Sequence, residues 1–150
     1  MQQACPQTVV LSVADCEGDI QEWFLEAMHR VPRERAEFRI RAKGNRRLAP
    51  GAAHDYLWEE LQAARPLGRV TFELSRQADR PAPPVTLIVR ARPVTFHGAR
   101  RPGGRLPPVQ LWAVYARERK PPKGEEPMEW LLLTSVPVTD FAGACLVMQW

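Results

Sequence analysis

Short apolar segments alternate with polar residues along most of the chain, at the spacing that strands require. Residues 8–14 (TVVLSVA) are apolar and β-branched, which predicts a buried strand that ends at Asp15. Residues 37–43 alternate strictly between apolar and basic, which predicts a half-buried strand with a cationic outer face. Further strands are predicted at residues 69–74, 85–89, 94–96, 109–117 and 130–135, with Pro93 separating 85–89 from 94–96.

Helical spacing of apolar residues occurs in three places. Residues 20–28 place their apolar side chains on one face, with Asp19 as the predicted N-cap and Pro32 as the end of the helix. Residues 55–64 predict a short helix, and residues 140–148 predict a closing helix. The sequence therefore indicates an α+β fold, with a strand and helix first, mainly antiparallel strands in the middle and a C-terminal helix.

The beginning of the chain differs in character from the middle. A strand that is buried on both faces needs neighbouring strands, and the sequence reveals no evident partner for residues 8–14. We therefore expect three parts: residues 1–34 as a partial strand–helix core, residues 35–137 as a β-rich insertion domain, and residues 138–150 as the start of a returning helix. The first strand and helix are expected to be poorly supported, and the β-rich part to be the folded unit.

The charge of the chain is concentrated in one segment. The 150 residues are 45% hydrophobic and 25% charged, as in ordinary folded proteins, and their net charge is +4. Residues 30–47 contain eight Arg and Lys residues against two Glu residues. Arginine binds phosphate through a planar fork of donors, so this segment suits an anionic partner, although a solvated basic face would have the same composition.

The remaining composition excludes several classes of protein. The cysteines are three in number and widely spaced, which predicts neither a disulfide framework nor a metal site. The apolar runs are too short to span a membrane, and the beginning of the chain lacks the pattern of a signal peptide. We expect a cytoplasmic protein in a reducing environment. Residues 100–105, rich in Gly, Pro and Arg, are expected to form a loop.

Four segments carry a resemblance to a known family. They are residues 13–20 (VADCEGDI), residues 39–46 (RIRAKGNR), residues 80–82 (RPA) with the strand that follows, and residues 120–135 (KPPKGEEPMEWLLLTS). In this order they resemble blocks of the bacterial DDE transposases of the insertion-sequence-four group, and together they cover nearly the whole chain. The last segment resembles the family pattern NPPxGxxPLxWLLLTS almost residue for residue. One departure is Cys16, where the family usually has arginine.

The resemblance implies an RNase-H-like core with an inserted β domain, and metal-dependent phosphoryl transfer at transposon ends. Asp15 matches the second catalytic aspartate of the family, which implies that it is a ligand of Mg²⁺. Arg41, Lys43 and Arg46 match the basic strand and turn of the family, which implies contacts with double-stranded DNA. Trp130 matches a tryptophan that stacks on a base flipped out of the duplex.

Each of these residues also has a plain structural interpretation. Asp15 could be a strand-end carboxylate, the basic strand could be a solvated face, and Trp130 could fill the β core. The first aspartate and the final glutamate of the family triad are expected outside this chain, so we expect no strand cleavage by it alone. A homodimer is expected only of the full-length enzyme. The alternatives are a stand-alone, non-catalytic nucleic-acid-binding β domain and an inert remnant of a mobile element.

Overall fold

The computed structural model describes residues 8–30, 35–73 and 84–150, which form an α+β fold. The described helices are α1 (Gln21–His29), α2 (Leu57–Ala63) and α3 (Phe141–Gln149), and the described strands are β1 (Leu11–Ala14), β2 (Glu37–Arg41), β3 (Gly68–Phe72), β4 (Val85–Phe96), β5 (Arg100–Arg101), β6 (Gly104–Arg105), β7 (Val109–Glu118) and β8 (Glu129–Thr134). Six strands form one sheet in the order β1-β2-β8-β7-β4-β3. All of its pairs are antiparallel except the parallel pair β1–β2. The predicted mainly antiparallel α+β fold with a C-terminal helix is thus confirmed.

The structure supplies β1 with the neighbour that the sequence did not reveal. After β1 the chain forms a 3₁₀ turn at Cys16–Gly18, continues into α1, and returns as β2 in parallel register, with Ala14 opposite Ile40. Gly18 allows this tight exit, because a Cβ atom there would lie 2.9 Å from the Cβ atom of Ala14. The first strand and helix therefore share one sheet with the β-rich segment. The division into three parts stays a prediction.

The sheet has an apolar core on each face. On the first face, α1 and α2 cover a core that includes Phe24, Phe38 and Leu61, each at most 1% exposed. On the second face, α3 covers a smaller core around Val114 and Val147. Each fully buried side chain of this size contributes roughly 1.5–3 kcal/mol to folding.

A glycine determines how closely α3 approaches the edge of the sheet. A Cβ atom at Gly68 of β3 would lie 2.5 Å from the ring of Phe141, the first residue of α3. A side chain at position 68 would therefore collide with the ring of Phe141, which would have to shift. Asp140 caps this helix, since its Oδ1 accepts a hydrogen bond from the N–H of Gly143 at 2.7 Å.

Two predicted boundaries differ from the structure. β4 runs through Pro93 without interruption and pairs with β7 along its whole length. A proline is tolerated in a strand where its position requires no ladder hydrogen bond. On the other side of β4, the pairing with β3 extends only from Val85 to Val89, so Pro93 lies beyond it. The expected loop at residues 100–105 is the hairpin β5–β6.

Some expectations fall on residues that the structure does not describe. The predicted helix end at Pro32, the last residue of the strand 69–74 and the matched residues 80–82 lie outside the described residues, as does Cys5. Within residues 8–30, 35–73 and 84–150, no helix combines the length and the apolar character needed to cross a bilayer.

Candidate nucleic-acid interface

A cavity of about 450 Å³ opens on the second face of the sheet, at the carboxyl end of β1. We call it the site cavity. Its lining residues come from three strands, the turn after β1 and α3: Val13, Ala14, Asp15, Arg39, Arg41, Trp130, Leu132 and Met148. Three residues that the sequence singled out, Asp15, Arg41 and Trp130, therefore meet in one place although they are far apart in the chain.

The register of β2 explains why its arginines reach the site cavity. Phe38 and Ile40 of β2 are buried in the core of the first face, so the alternate residues Arg39 and Arg41 lie on the second face. On the neighbouring strand β8, Leu132 lies opposite Arg41. The alternation of residues 37–43 predicts Arg39 on the same face as Arg41, although Arg39 was not among the predicted site residues. The strict alternation of residues 37–43 was the signal that could have identified it.

Arg39 is a cation with an unsatisfied donor. Its Nε–H is buried and has no hydrogen-bond partner among the described residues. Burial lowers the pKa of the Arg39 guanidinium from its ordinary value, and the charge on Arg41 lowers it further. Arginine nevertheless stays protonated in proteins. Neither arginine forms an ion pair within the described part of the chain. Two adjacent cations without a carboxylate partner favour an anionic ligand.

Asp15 is exposed at the end of β1. Its Oδ1 accepts a hydrogen bond of 2.7 Å from the N–H of Cys16, so it caps the 3₁₀ turn that follows the strand. This contact is the one expected of a plain strand-end carboxylate. The same side chain lines the site cavity, where it is the only carboxylate among the described lining residues.

The residues around Asp15 do not fit a metal ion by themselves. The resemblance implies Mg²⁺, which takes six oxygen ligands and is usually held by carboxylates and water. The site cavity offers one carboxylate and two arginines. Among residues 8–30, 35–73 and 84–150, no group of three or more His, Cys, Asp or Glu side chains is placed to hold a metal.

Trp130 belongs both to the core and to the site cavity. Its ring stacks on Phe72 of β3, with 6.1 Å between centroids and 14° between planes, and it packs against the core of the second face. It also lines the site cavity. Packing on Phe72 holds the indole in place, which is what a stacking platform for a base requires.

Lys43 and Arg46 do not line the site cavity. Lys43 is exposed just beyond β2, and its backbone N–H donates a hydrogen bond of 2.7 Å to Oδ2 of Asp19. A terminal nitrogen of Arg46 lies 2.5 Å from Oδ1 of Asp19 and donates at 2.7 Å to the backbone carbonyl of the same residue. The Arg46 guanidinium also lies over the rings of Phe24 and Phe96, at 5.4 and 5.2 Å from their centroids. Its charge is therefore used within the protein.

The prediction that Asp19 caps α1 is wrong. The N-cap residue is Ile20, which makes no side-chain cap hydrogen bond. The carboxylate of Asp19 instead binds Lys43 and Arg46, because the turn after β2 comes back to the start of α1. A local pattern cannot reveal these partners of Asp19, since Lys43 and Arg46 both lie more than twenty residues further along the chain.

Thr134 and Ser135, at the end of β8, hold the cationic strand β2 in place. The hydroxyl of Thr134 donates to the carbonyl of Phe38 at 2.6 Å, and the N–H of Phe38 donates to the hydroxyl of Ser135 at 2.9 Å. The hydroxyl of Ser135 in turn donates to Glu37 at 2.5 Å. Both hydroxyl residues are buried. The Thr–Ser pair thus positions β2, and with it the arginines of the site cavity.

No protein-family model matches this chain.

Proposed function

We propose that this chain binds DNA at transposon ends as part of a cut-and-paste DNA transposase, with the site cavity as the contact surface. The observation that carries the proposal is the meeting of Asp15, Arg41 and Trp130 in one cavity. Each of the three matches a functional residue of the insertion-sequence-four transposases. The meeting of these three residues supports the resemblance, because they were selected from sequence segments without knowledge of their positions in the fold.

The chemistry of the cavity supports a nucleic-acid ligand. Phosphate oxygens can accept hydrogen bonds from the guanidinium groups of Arg39 and Arg41, neither of which forms an ion pair among the described residues. The indole ring of Trp130 can stack on an unstacked base, and this stacking offsets roughly 1–3 kcal/mol of the cost of unstacking. A ligand that combines a phosphate with an aromatic base can contact the arginines and Trp130 at the same time.

We assign binding, and not cleavage, to the chain itself. In-line displacement at a phosphodiester by two metal ions needs several carboxylates, and the site cavity has Asp15 alone. A role of Asp15 in binding Mg²⁺ therefore belongs to the proposal only together with carboxylates from outside the described residues. In such a complete site the metal would supply charge stabilisation for the phosphoryl transfer.

Arg41→Gln tests the proposal. We expect this substitution to weaken binding to a short fluorescent duplex about tenfold, because it removes one charge-assisted phosphate contact. The slope of log K against log salt should become shallower by about one. Fluorescence anisotropy over a series of salt concentrations measures both quantities.

Arg100→Gln is the matched control, because Arg100 is exposed on the β5–β6 hairpin, away from the site cavity. It should retain wild-type affinity. Unchanged affinity and slope in Arg41→Gln would refute the assigned surface. A wild-type chain that binds DNA no better than a scrambled control chain would instead identify an inert remnant of a mobile element.

A further inference from the structure

A second cluster of arginines lies on the opposite face of the sheet. Arg90 of β4, Arg117 of β7 and Arg119 just beyond β7 line a depression of about 350 Å³. Its lining also includes Ile88, Glu118, Pro121 and Pro127. We call the three arginines and this depression the arginine surface.

Strand alternation places the arginine surface on the first face. Arg117 lies two residues after Tyr115 on β7, and Tyr115 belongs to the core that α1 and α2 cover. Arg90 lies directly opposite Tyr115 on β4. Ala116, which lies between Tyr115 and Arg117 in the sequence, belongs to the core of the second face, as does Leu132 of the site cavity. The two basic surfaces are therefore separated by the sheet itself.

The positive charge of the arginine surface is not neutralised within the described chain. None of its three arginines forms an ion pair in residues 8–30, 35–73 and 84–150. Arg90 is oriented by a hydrogen bond of 3.0 Å from its Nε to the carbonyl of Ala64. That bond uses one of its five N–H groups.

Two carboxylates lie near the arginine surface, and both have other partners. Glu118 lines the depression together with the arginines, and its carboxylate accepts a hydrogen bond from the N–H of Met128 at 3.0 Å. Glu129 lies opposite Arg117 on β8, but its carboxylate accepts the hydroxyl of Tyr115. Like charges on adjacent strands repel, so an anion that bridges the arginines would relieve this repulsion.

Building on the proposed function, we propose that the arginine surface is a second nucleic-acid contact, which binds a backbone phosphate of the same DNA molecule that occupies the site cavity. Three guanidinium groups on a rigid sheet, between two prolines, suit the oxygens of a phosphate group. Arg90 and Arg117 belong to strands of the sheet. The backbone of Arg119 is held next to β4, because its amide N–H donates a hydrogen bond to the carbonyl of Thr86 at 3.0 Å. None of the described residues that line the arginine surface is aromatic. We therefore expect it to contact the phosphate backbone of DNA and not to recognise bases.

The double variant Arg117→Gln/Arg119→Gln tests this inference in the full chain. Its salt slope for duplex binding should become shallower by about two, and its affinity should fall more than tenfold. The loss should add to that of Arg41→Gln, since the two surfaces share no residue. Arg117→Lys/Arg119→Lys restores the charge and should recover most of the affinity. Urea denaturation of each variant separates lost binding from lost folding, and Arg117→Gln alone replaces the double variant if the latter unfolds.

Three results would overturn the inference. The first is an unchanged slope in the double variant while Arg41→Gln weakens binding, which would leave the proposed function standing. The second is an equal loss in the control Arg47→Gln/Arg100→Gln, two exposed arginines outside both surfaces, which would show an effect of net charge alone. The third is binding of inorganic tripolyphosphate that the double variant abolishes while its duplex binding stays unchanged, which would identify a free polyphosphate as the ligand.

Discussion

Arg41 and Arg46 show that the neighbours of a basic residue decide what its charge does. Arg41 is exposed and lines the site cavity. The side chain of Arg46 is 21% exposed and that of its partner Asp19 only 2%. A buried carboxylate without a counter-charge is strongly destabilising. Arg46 therefore supports the fold, whereas the resemblance alone implied a contact with DNA.

Arg46→Lys is expected to lower the free energy of unfolding by about 1–3 kcal/mol. Lysine keeps the charge but lacks the planar guanidinium group, which lies over the rings of Phe24 and Phe96 while one of its nitrogens contacts Asp19. Urea denaturation followed by tryptophan fluorescence measures the change. Arg47→Lys, at the exposed neighbouring position, should leave the stability unchanged. Wild-type stability combined with weaker DNA binding in Arg46→Lys would show that Arg46 acts on DNA after all.

At the scale of elements, the first turn of α1 holds the segment around the β5–β6 hairpin. Gln21, which is 2% exposed, donates to the carbonyl of Pro107 at 3.0 Å and accepts from the N–H of Ala99 at 3.1 Å. Beside it, Arg101 of the hairpin forms two hydrogen bonds with Glu22, at 2.5 and 3.0 Å. The hairpin is therefore attached to the helix on both sides of its turn.

The Glu22–Arg101 pair leads to a pH-dependent prediction. The hydrogen bonds from Arg101 lower the pKa of the Glu22 carboxyl from its ordinary value of 4.5. A lowered pKa means that the pair stabilises the folded state above the ordinary value, and that this contribution is lost as the pH falls through the lowered one. NMR titration of the Glu22 side chain should show the shift, and Arg101→Gln should return the midpoint towards 4.5.

Arg100→Gln serves as the control for this titration, because Arg100 lies beside Arg101 without contacting Glu22 in the described structure. It should keep the low midpoint of Glu22. The same midpoint in Arg101→Gln as in the wild type would mean that the hairpin is not attached to α1 through this pair.

At the scale of the whole molecule, one sheet joins the beginning of the chain to its middle. β1 pairs with β2, β2 pairs with β8, and Phe24 of α1 stacks on Phe38 of β2 with 5.6 Å between ring centroids. The expectation that the first strand and helix are poorly supported does not match these contacts. We predict that this segment unfolds together with the rest of the sheet.

Phe24→Ala is expected to lower the free energy of unfolding by about 3–5 kcal/mol, because it leaves a cavity under a fully buried helix position. Circular dichroism and tryptophan fluorescence should give a single, coincident unfolding transition. Leu146→Ala is the control, since Leu146 is 49% exposed on α3 and its truncation should cost much less. Separate melting of α1, with the sheet unchanged, would restore the predicted division between residues 1–34 and the β-rich part.

Which residues of each element share a face could be read from the order of the amino acids alone. The alternation of residues 37–43 correctly separated Phe38 and Ile40 from Arg39 and Arg41, and helical spacing located α1, α2 and α3 to within a few residues. These are local properties, because the period of side-chain direction depends only on the backbone conformation of the element itself. The site residues Asp15, Arg41 and Trp130 were selected by resemblance, and no local pattern indicated that they would meet.

Which elements lie side by side could not be read in the same way and is known only from the assembled sheet. The pairing of Arg39 with Thr134 and the ion pair of Arg46 with Asp19 join residues that are distant in the chain, and they depend on register. A strand pattern shows which side chains face the core, but it leaves the neighbouring strand undetermined. For the same reason the uninterrupted β4, the role of Asp19 and the two separate basic surfaces became apparent only when the sheet was assembled.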